Sequence, residues 1–149
     1  MDITSLISPD CVFCAVPATS KKKLLQVVSE LAAQHLSGQV EEHDILDAFL
    51  SREKLGSTGI GNGIALPHGR LANCDKGLTF LITTEESIDF DAIDNQPVKI
   101  FFALLAPESE CQTHLKSLAT IAEKLSNKDV VKRIKLASTN NELYQAITE

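Results

Sequence analysis

The chain has 149 residues, of which 44% are hydrophobic and 23% charged, and a formal net charge of −6. That length suits a single domain, 1–149, with a substantial core, and the acidic balance argues against a nucleic-acid binder, which needs a basic face. No apolar run is long enough to span a bilayer, and Met1-Asp2-Ile3-Thr4 lacks the basic-then-apolar layout of a signal peptide, so a cytoplasmic chain without membrane insertion is expected.

Taken in order, Cys11–Val16 reads as a short strand. Ser20 caps a helix through about Leu36, with Leu24, Leu25, Val28, Leu31 and Ala32 at helical spacing, and Ser37-Gly38 ends it. A second helix runs from about Glu41 to Lys54 and buries Ile45, Ala48 and Phe49. Gly77–Thr84 is a strand by its β-branched and aromatic content, and Ser87–Phe90 a short edge piece. Val98–Ala106 is the most apolar run, fit for a strand buried on both faces and stopped by Pro107. Ser109-Glu110-Cys111-Gln112 has the capping-box pattern for a helix to about Leu125, with Leu115, Leu118, Ala119, Ala122 and Leu125 inward. A short helix over 127–136 follows. Thr139 and Glu142 open the last helix, with Leu143, Ala146 and Ile147 inward. The order predicts an α/β fold: a mixed sheet of about five strands flanked by helices on both faces.

Between the second helix and the first long strand lies Gly59-Ile60-Gly61-Asn62-Gly63-Ile64-Ala65-Leu66-Pro67-His68-Gly69-Arg70. The glycines let backbone N–H groups of Gly61, Asn62 and Gly63 approach a ligand. Pro67 fixes φ and pushes Leu66 toward extended geometry, so His68 is expected at the end of a short strand, presented to something from outside. Of the other histidines, His35 and His43 read as solvated helix residues. His114, near a helix start, meets His68 if the His68 strand lies beside 98–106.

Other chemistries find little support. Cys11-x-x-Cys14 has no second ligand pair, with Cys74 and Cys111 far off, so the cysteines read as reduced, small apolar residues. No H-x-H, H-x-x-x-H or H-E-x-x-H spacing occurs, and neither a G-x-S-x-G elbow nor a Walker A loop, so neither metal nor cofactor is expected.

Glu53, six residues, then Ile60-Gly61-x-x-Ile64-Ala65-Leu66-Pro67-His68-Gly69 resembles the phosphorylation-site signature of the fructose/mannitol-type enzyme IIA domains of the bacterial phosphotransferase system. The likeness covers essentially the whole chain, and the glycine segment most resembles the nitrogen-related, regulatory branch. The resemblance implies a phosphocarrier. His68 takes a phosphoryl group from a small HPr- or NPr-type phosphohistidine protein, His114 is the second active-site histidine, and regulatory target proteins read the phosphorylation state. Arg52 is the candidate for stabilising phosphoryl charge, with the N–H groups of Gly61, Asn62 and Gly63 as candidate phosphoryl contacts, and a charged His114 would help keep His68 neutral. The alternatives are a sugar-specific component feeding a permease, a phosphorylation-gated binding switch without onward transfer, and a thiol or metal protein built on Cys11 and Cys14.

Overall fold

The computed structural model describes residues 3–36, 40–72, 74 and 76–149. The strands are β1 (Val12–Val16), β2 (Gly59–Gly61), β3 (Ile64–Ala65), β4 (His68–Leu71), β5 (Leu78–Ile88) and β6 (Val98–Pro107). The helices are α1 (Lys21–His35), α2 (Glu42–Lys54), α3 (Cys111–Leu125), α4 (Lys128–Leu136) and α5 (Asn140–Thr148). The strands form one mixed sheet in the order β1-β5-β6-β3-β2, with β4 also paired to β6.

The apolar run of β6 organises this sheet. Phe101, Ala103 and Leu105 face one layer, with Leu24, Leu25 and Val28 of α1 and Ile45 and Phe49 of α2. Ile100, Phe102 and Leu104 face the other, with Ile121 of α3, Val130 and Ile134 of α4, and Leu143 and Ile147 of α5. Alternate side chains of a strand point to opposite faces, so only a continuous apolar run satisfies both layers. The expected α/β architecture is present, with six strands rather than about five. The expected Ser87 piece merges into β5, while the glycine segment supplies β2 and Pro67 divides β3 from β4 beside β6.

Local signals hold in several places. The Ser20 side chain accepts the Lys23 N–H at 3.1 Å, Asn127 caps α4, and Thr139 caps α5 through the Glu142 N–H at 3.1 Å. The stop signal Ser37-Gly38 lies outside the described residues. Cys11 and Cys14 pack into opposite layers as free thiols, and burial pushes the Cys11 thiol pKa up. The side chain of Cys111 lies outside what is described.

Four expectations need correction. Ser87 and Ile88 are no separate edge piece: they continue β5, which lies between β1 and β6, and Ile88 pairs with Val98 beyond an irregularity in the register. Ser109 caps nothing, because Glu108–Glu110 form a 3₁₀ turn and α3 starts from Glu110 without a side-chain cap. His35 is not a solvated residue. Its ring packs edge-on to Phe80 at 5.7 Å, and Nδ1 donates to the Leu31 carbonyl at 2.9 Å.

The fourth concerns the inward stripe of α3, which is His114, Ser117, Ile121 and Leu125, with Leu118 partly buried against the core as expected. Leu115 is 55% exposed, and Ala119 and Ala122 face solvent. A pattern count assigns polar residues outward, and here a buried histidine and serine take inward positions instead.

Gly69 fixes the approach of α2 to the sheet. A Cβ there would stand 3.1 Å from the Ala48 side chain and 3.2 Å from its backbone carbonyl carbon. Gly69→Val forces α2 away from β4, and overpacking of this kind costs about 1–3 kcal/mol. Thermal unfolding should show a lowered Tm; an unchanged Tm would mean that α2 yields without cost.

Candidate functional site

His68 opens β4 rather than closing a strand. The reason is Pro67: it has no N–H for the ladder, and only its carbonyl takes part, accepting the Leu104 N–H at 2.9 Å. β4 runs parallel to β6 with His68 opposite Leu104, so the condition for a meeting with His114 is fulfilled. The pleat sends Gly69 and Leu71 toward α2 and leaves His68 on the α3 side. The His68 and His114 ring centroids are 5.5 Å apart, with planes tilted by 47°.

The hydrogen bonds assign the nitrogens of His68. Arg52 Nε donates to Nε2 at 3.1 Å. A guanidinium cannot accept, so Nε2 carries the lone pair and Nδ1 the proton. That proton is donated to the Leu66 carbonyl at 2.7 Å, two residues back. The available nucleophile is therefore Nε2, half-buried and oriented by backbone. Burial lowers the His68 pKa; the Leu66 hydrogen bond opposes that, and the Arg52 charge adds to the lowering.

His114 is 3% exposed, and neither ring nitrogen has a hydrogen-bond partner among the described residues. An unmet buried donor or acceptor costs about 1–3 kcal/mol, so such a group stands out beside a nucleophile. Burial, with smaller contributions from His68 and Arg70, lowers its pKa to about 4. The expected charge on His114 is therefore absent near neutrality: it faces His68 as a neutral ring. His68 owes its neutrality to burial and to Arg52.

This has a measurable consequence for stability. Both histidines bind protons less readily when folded than unfolded. Their contribution is complete above the unfolded value of about 6.5 and is lost as pH falls. For His114 the loss spans about pH 6.5 to 4, amounting to roughly 3 kcal/mol. Urea unfolding at pH 7 and pH 4.5 should show that loss reduced in His114→Gln; an undiminished loss would place the acid sensitivity elsewhere.

Arg52 reaches the site from the last turn of α2, and its Nη1 donates to the Gly56 carbonyl at 2.8 Å. Its neighbour Glu53 anchors that turn from inside. The Glu53 carboxylate, 5% exposed, bonds Lys21 Nζ at 2.8 Å and accepts from the Thr58 N–H at 3.3 Å and the Thr58 hydroxyl. Lys21 also lies 4.6 Å from the centre of the Phe90 ring. In the sequence Glu53 was visible only as a spacing marker, and Lys21 and Thr58 not at all. The available signal was three lysines in the first turn of α1, where the helix dipole disfavours cations.

Gly61, Asn62 and Gly63 do not gather around His68. They form the tip of the β2–β3 hairpin, with positive φ at all three, and Gly63 accepts from Lys99 and Ile100. His68 pairs four residues further along β6, roughly 13 Å away at 3.3 Å per residue. The Asn62 N–H is taken by Asp94 at 3.1 Å. These glycines serve a turn, and no phosphate cradle forms there. His43 is exposed as expected, between Glu41 and Asp44 at 3.2 and 3.3 Å.

The chain is similar to known proteins over its whole length. Residues 5–149 match the family described as phosphoenolpyruvate-dependent sugar phosphotransferase system, EIIA 2. The nitrogen regulatory protein of Escherichia coli (strain K12) is 43% identical over 150 residues, covering 100% of this chain and 91% of that protein. The nitrogen regulatory protein of Pseudomonas aeruginosa is 37% identical over 147 residues, covering 99% and 95%. The crystal structure of nitrogen regulatory protein IIA-Ntr from Neisseria meningitidis superposes with a TM-score of 0.90 at 33% identity, covering 98% of this chain and 99% of that one. IIA mannitol from Escherichia coli, at 21% identity and a TM-score of 0.78 over 95% and 98% of the two chains, shares the fold.

Proposed function

The chain belongs to the phosphotransferase system EIIA 2 family, and we propose that it is a cytoplasmic phosphocarrier of nitrogen regulation whose His68 Nε2 accepts a phosphoryl group from an HPr- or NPr-type phosphohistidine protein. One observation carries this reading: the His68 lone pair accepts from the Arg52 guanidinium at 3.1 Å, and the unpartnered ring of His114 lies beside it, 5.5 Å between ring centroids. An anion with several acceptor oxygens matches these donors.

The transfer balances without a general base. The Nε2 lone pair attacks phosphorus, a new N–P bond forms, and the donor's N–P bond breaks with its electron pair left on the donor imidazole. Positive charge grows on the His68 ring, and the Leu66 carbonyl at Nδ1–H offsets it. Arg52 Nε gives up Nε2 as phosphorus arrives and turns its fork to the equatorial oxygens. His114 donates one N–H to a phosphoryl oxygen and so gains its missing partner. Catalysis is then positioning and charge stabilisation.

A protein donor suits the rim. Leu55, which caps α2, is 84% exposed, and Leu115, next to His114, is 55% exposed. Exposed apolar side chains around a reactive group favour docking of another folded surface. Regulatory targets would then read the added charge at His68. No helix of the described residues is long and apolar enough to cross a membrane.

Incubation with a phosphorylated HPr-type protein, followed by intact-mass measurement, tests the proposal. The expected product is a single added phosphoryl group that mild acid removes, as it does from phosphohistidine. An unchanged mass, or an acid-stable adduct, overturns it.

A further inference from the structure

A second surface lies at the far end of the molecule from His68. The helix α3 leads there: from His114 to Leu125 its axis advances roughly 16 Å, at about 1.5 Å per residue. At that end a groove of about 410 Å³ runs between the Asn62 hairpin tip, the end of α3 and the outer side of α4. Leu125, Val131 and Leu136 give it apolar walls, and Lys128, Lys132 and Lys135 rim it. Leu136 is 72% exposed. Lys135 also borders an adjoining cleft of about 330 Å³ that holds Lys99.

The charge pattern of this end runs against the rest of the chain. Helix α4 carries Lys128, Lys132, Arg133 and Lys135 against Asp129 alone, in a protein of net charge −6. None of the four lysines around the groove is in an ion pair with a described residue. The fold does not require these charges or this leucine to be here: α4 holds its core through Val130, Val131 and Ile134. Unneutralised cations rimming an apolar slot complement an anionic partner with a bulky apolar side chain.

We propose that this groove docks an acidic segment of a partner protein, anchored by one large apolar side chain between Leu125, Val131 and Leu136, with carboxylates on Lys128, Lys132 and Lys135. A nucleic acid or anionic membrane suits it less, because the acidic remainder of the chain repels an extended polyanion and the groove wants an apolar anchor. The surface is separate from His68, so it holds its partner in both phosphorylation states, while the histidine signals from the other end.

The probe is a fluorescein-labelled peptide with glutamates on one helical face and leucine and phenylalanine on the other, followed by anisotropy at low salt. Wild-type protein should bind it, and added salt should weaken binding. Lys132→Gln with Lys135→Gln should reduce affinity about tenfold. A peptide with glutamine for glutamate, or serine for its leucine and phenylalanine, should bind poorly. His68→Ala should bind like wild type, which separates this proposal from the phosphocarrier reading. The proposal is overturned by equal affinity in the lysine variant, by equal binding of the glutamine peptide, or by no binding at all. It is equally overturned if duplex DNA, phosphatidylserine vesicles or a second copy of this chain occupies the groove in place of the peptide.

Discussion

His68→Ala should end phosphoryl uptake altogether while the protein stays folded. The ring is half-buried at the start of β4, and its two hydrogen bonds join it to Arg52 and to the Leu66 carbonyl without spanning the core. Its loss opens a small space at an already open site, at the cost of an ordinary surface-proximal truncation. The chemical loss is total, because no other nucleophile stands in place. His114, with its ring centroid 5.5 Å from that of His68, is 3% exposed, too buried to attack an incoming phosphorus itself. A radiolabelled donor should leave no acid-labile label on the variant, and its circular dichroism should match the wild type. Label on the variant would move the acceptor elsewhere and undo the assignment of Nε2.

How far the sequence reveals this arrangement depends on the type of force at each position. Where burial alone decides, the pattern is plain. The run of β6 is apolar because both its faces are covered, and Leu143, Ala146 and Ile147 turn inward because α5 has no other task. Capping residues with short polar side chains are equally readable, as Ser20 and Thr139 show. Reading fails where function displaces burial. On α3 the spacing alone predicts a hydrophobic stripe through Leu115 and Ala119. The helix is turned to bring His114 under His68, which leaves Leu115 for the rim.

The glycine segment misleads for another reason. Glycines shortly before a candidate acceptor histidine suggest a cradle, yet whether they face it depends on which strand pairs where. Gly63 lies beside Ile100 and His68 beside Leu104, a separation set by β6 and invisible before the sheet is known. Arg52 is the reverse case. Sixteen residues before His68 and on another element, it became a candidate only through the family pattern, and the fold brings it to the reactive nitrogen.

Arg52→Ala should slow transfer from the phosphorylated donor by roughly 10²–10³ without unfolding the protein, the usual effect of removing one charge-stabilising donor. The guanidinium has two tasks at once. Nε holds the Nε2 lone pair in the resting site, and Nη1 ties the side chain to the Gly56 carbonyl, so the guanidinium is held beside Nε2 before the donor arrives. Arg52→Lys keeps the charge and loses the fork, and should recover only part of the rate. A second reading separates charge from mere packing. The Arg52 charge contributes to the lowered His68 pKa, so Arg52→Ala should raise it and Arg52→Lys much less. Nuclear magnetic resonance titration of the His68 ring measures this directly. The sign for activity follows: a higher pKa protonates more of the nucleophile near neutrality, so the alanine variant should lose rate at a higher pH than wild type as acid is added. An unchanged rate together with an unmoved titration would reduce Arg52 to a surface charge that happens to rest on an imidazole.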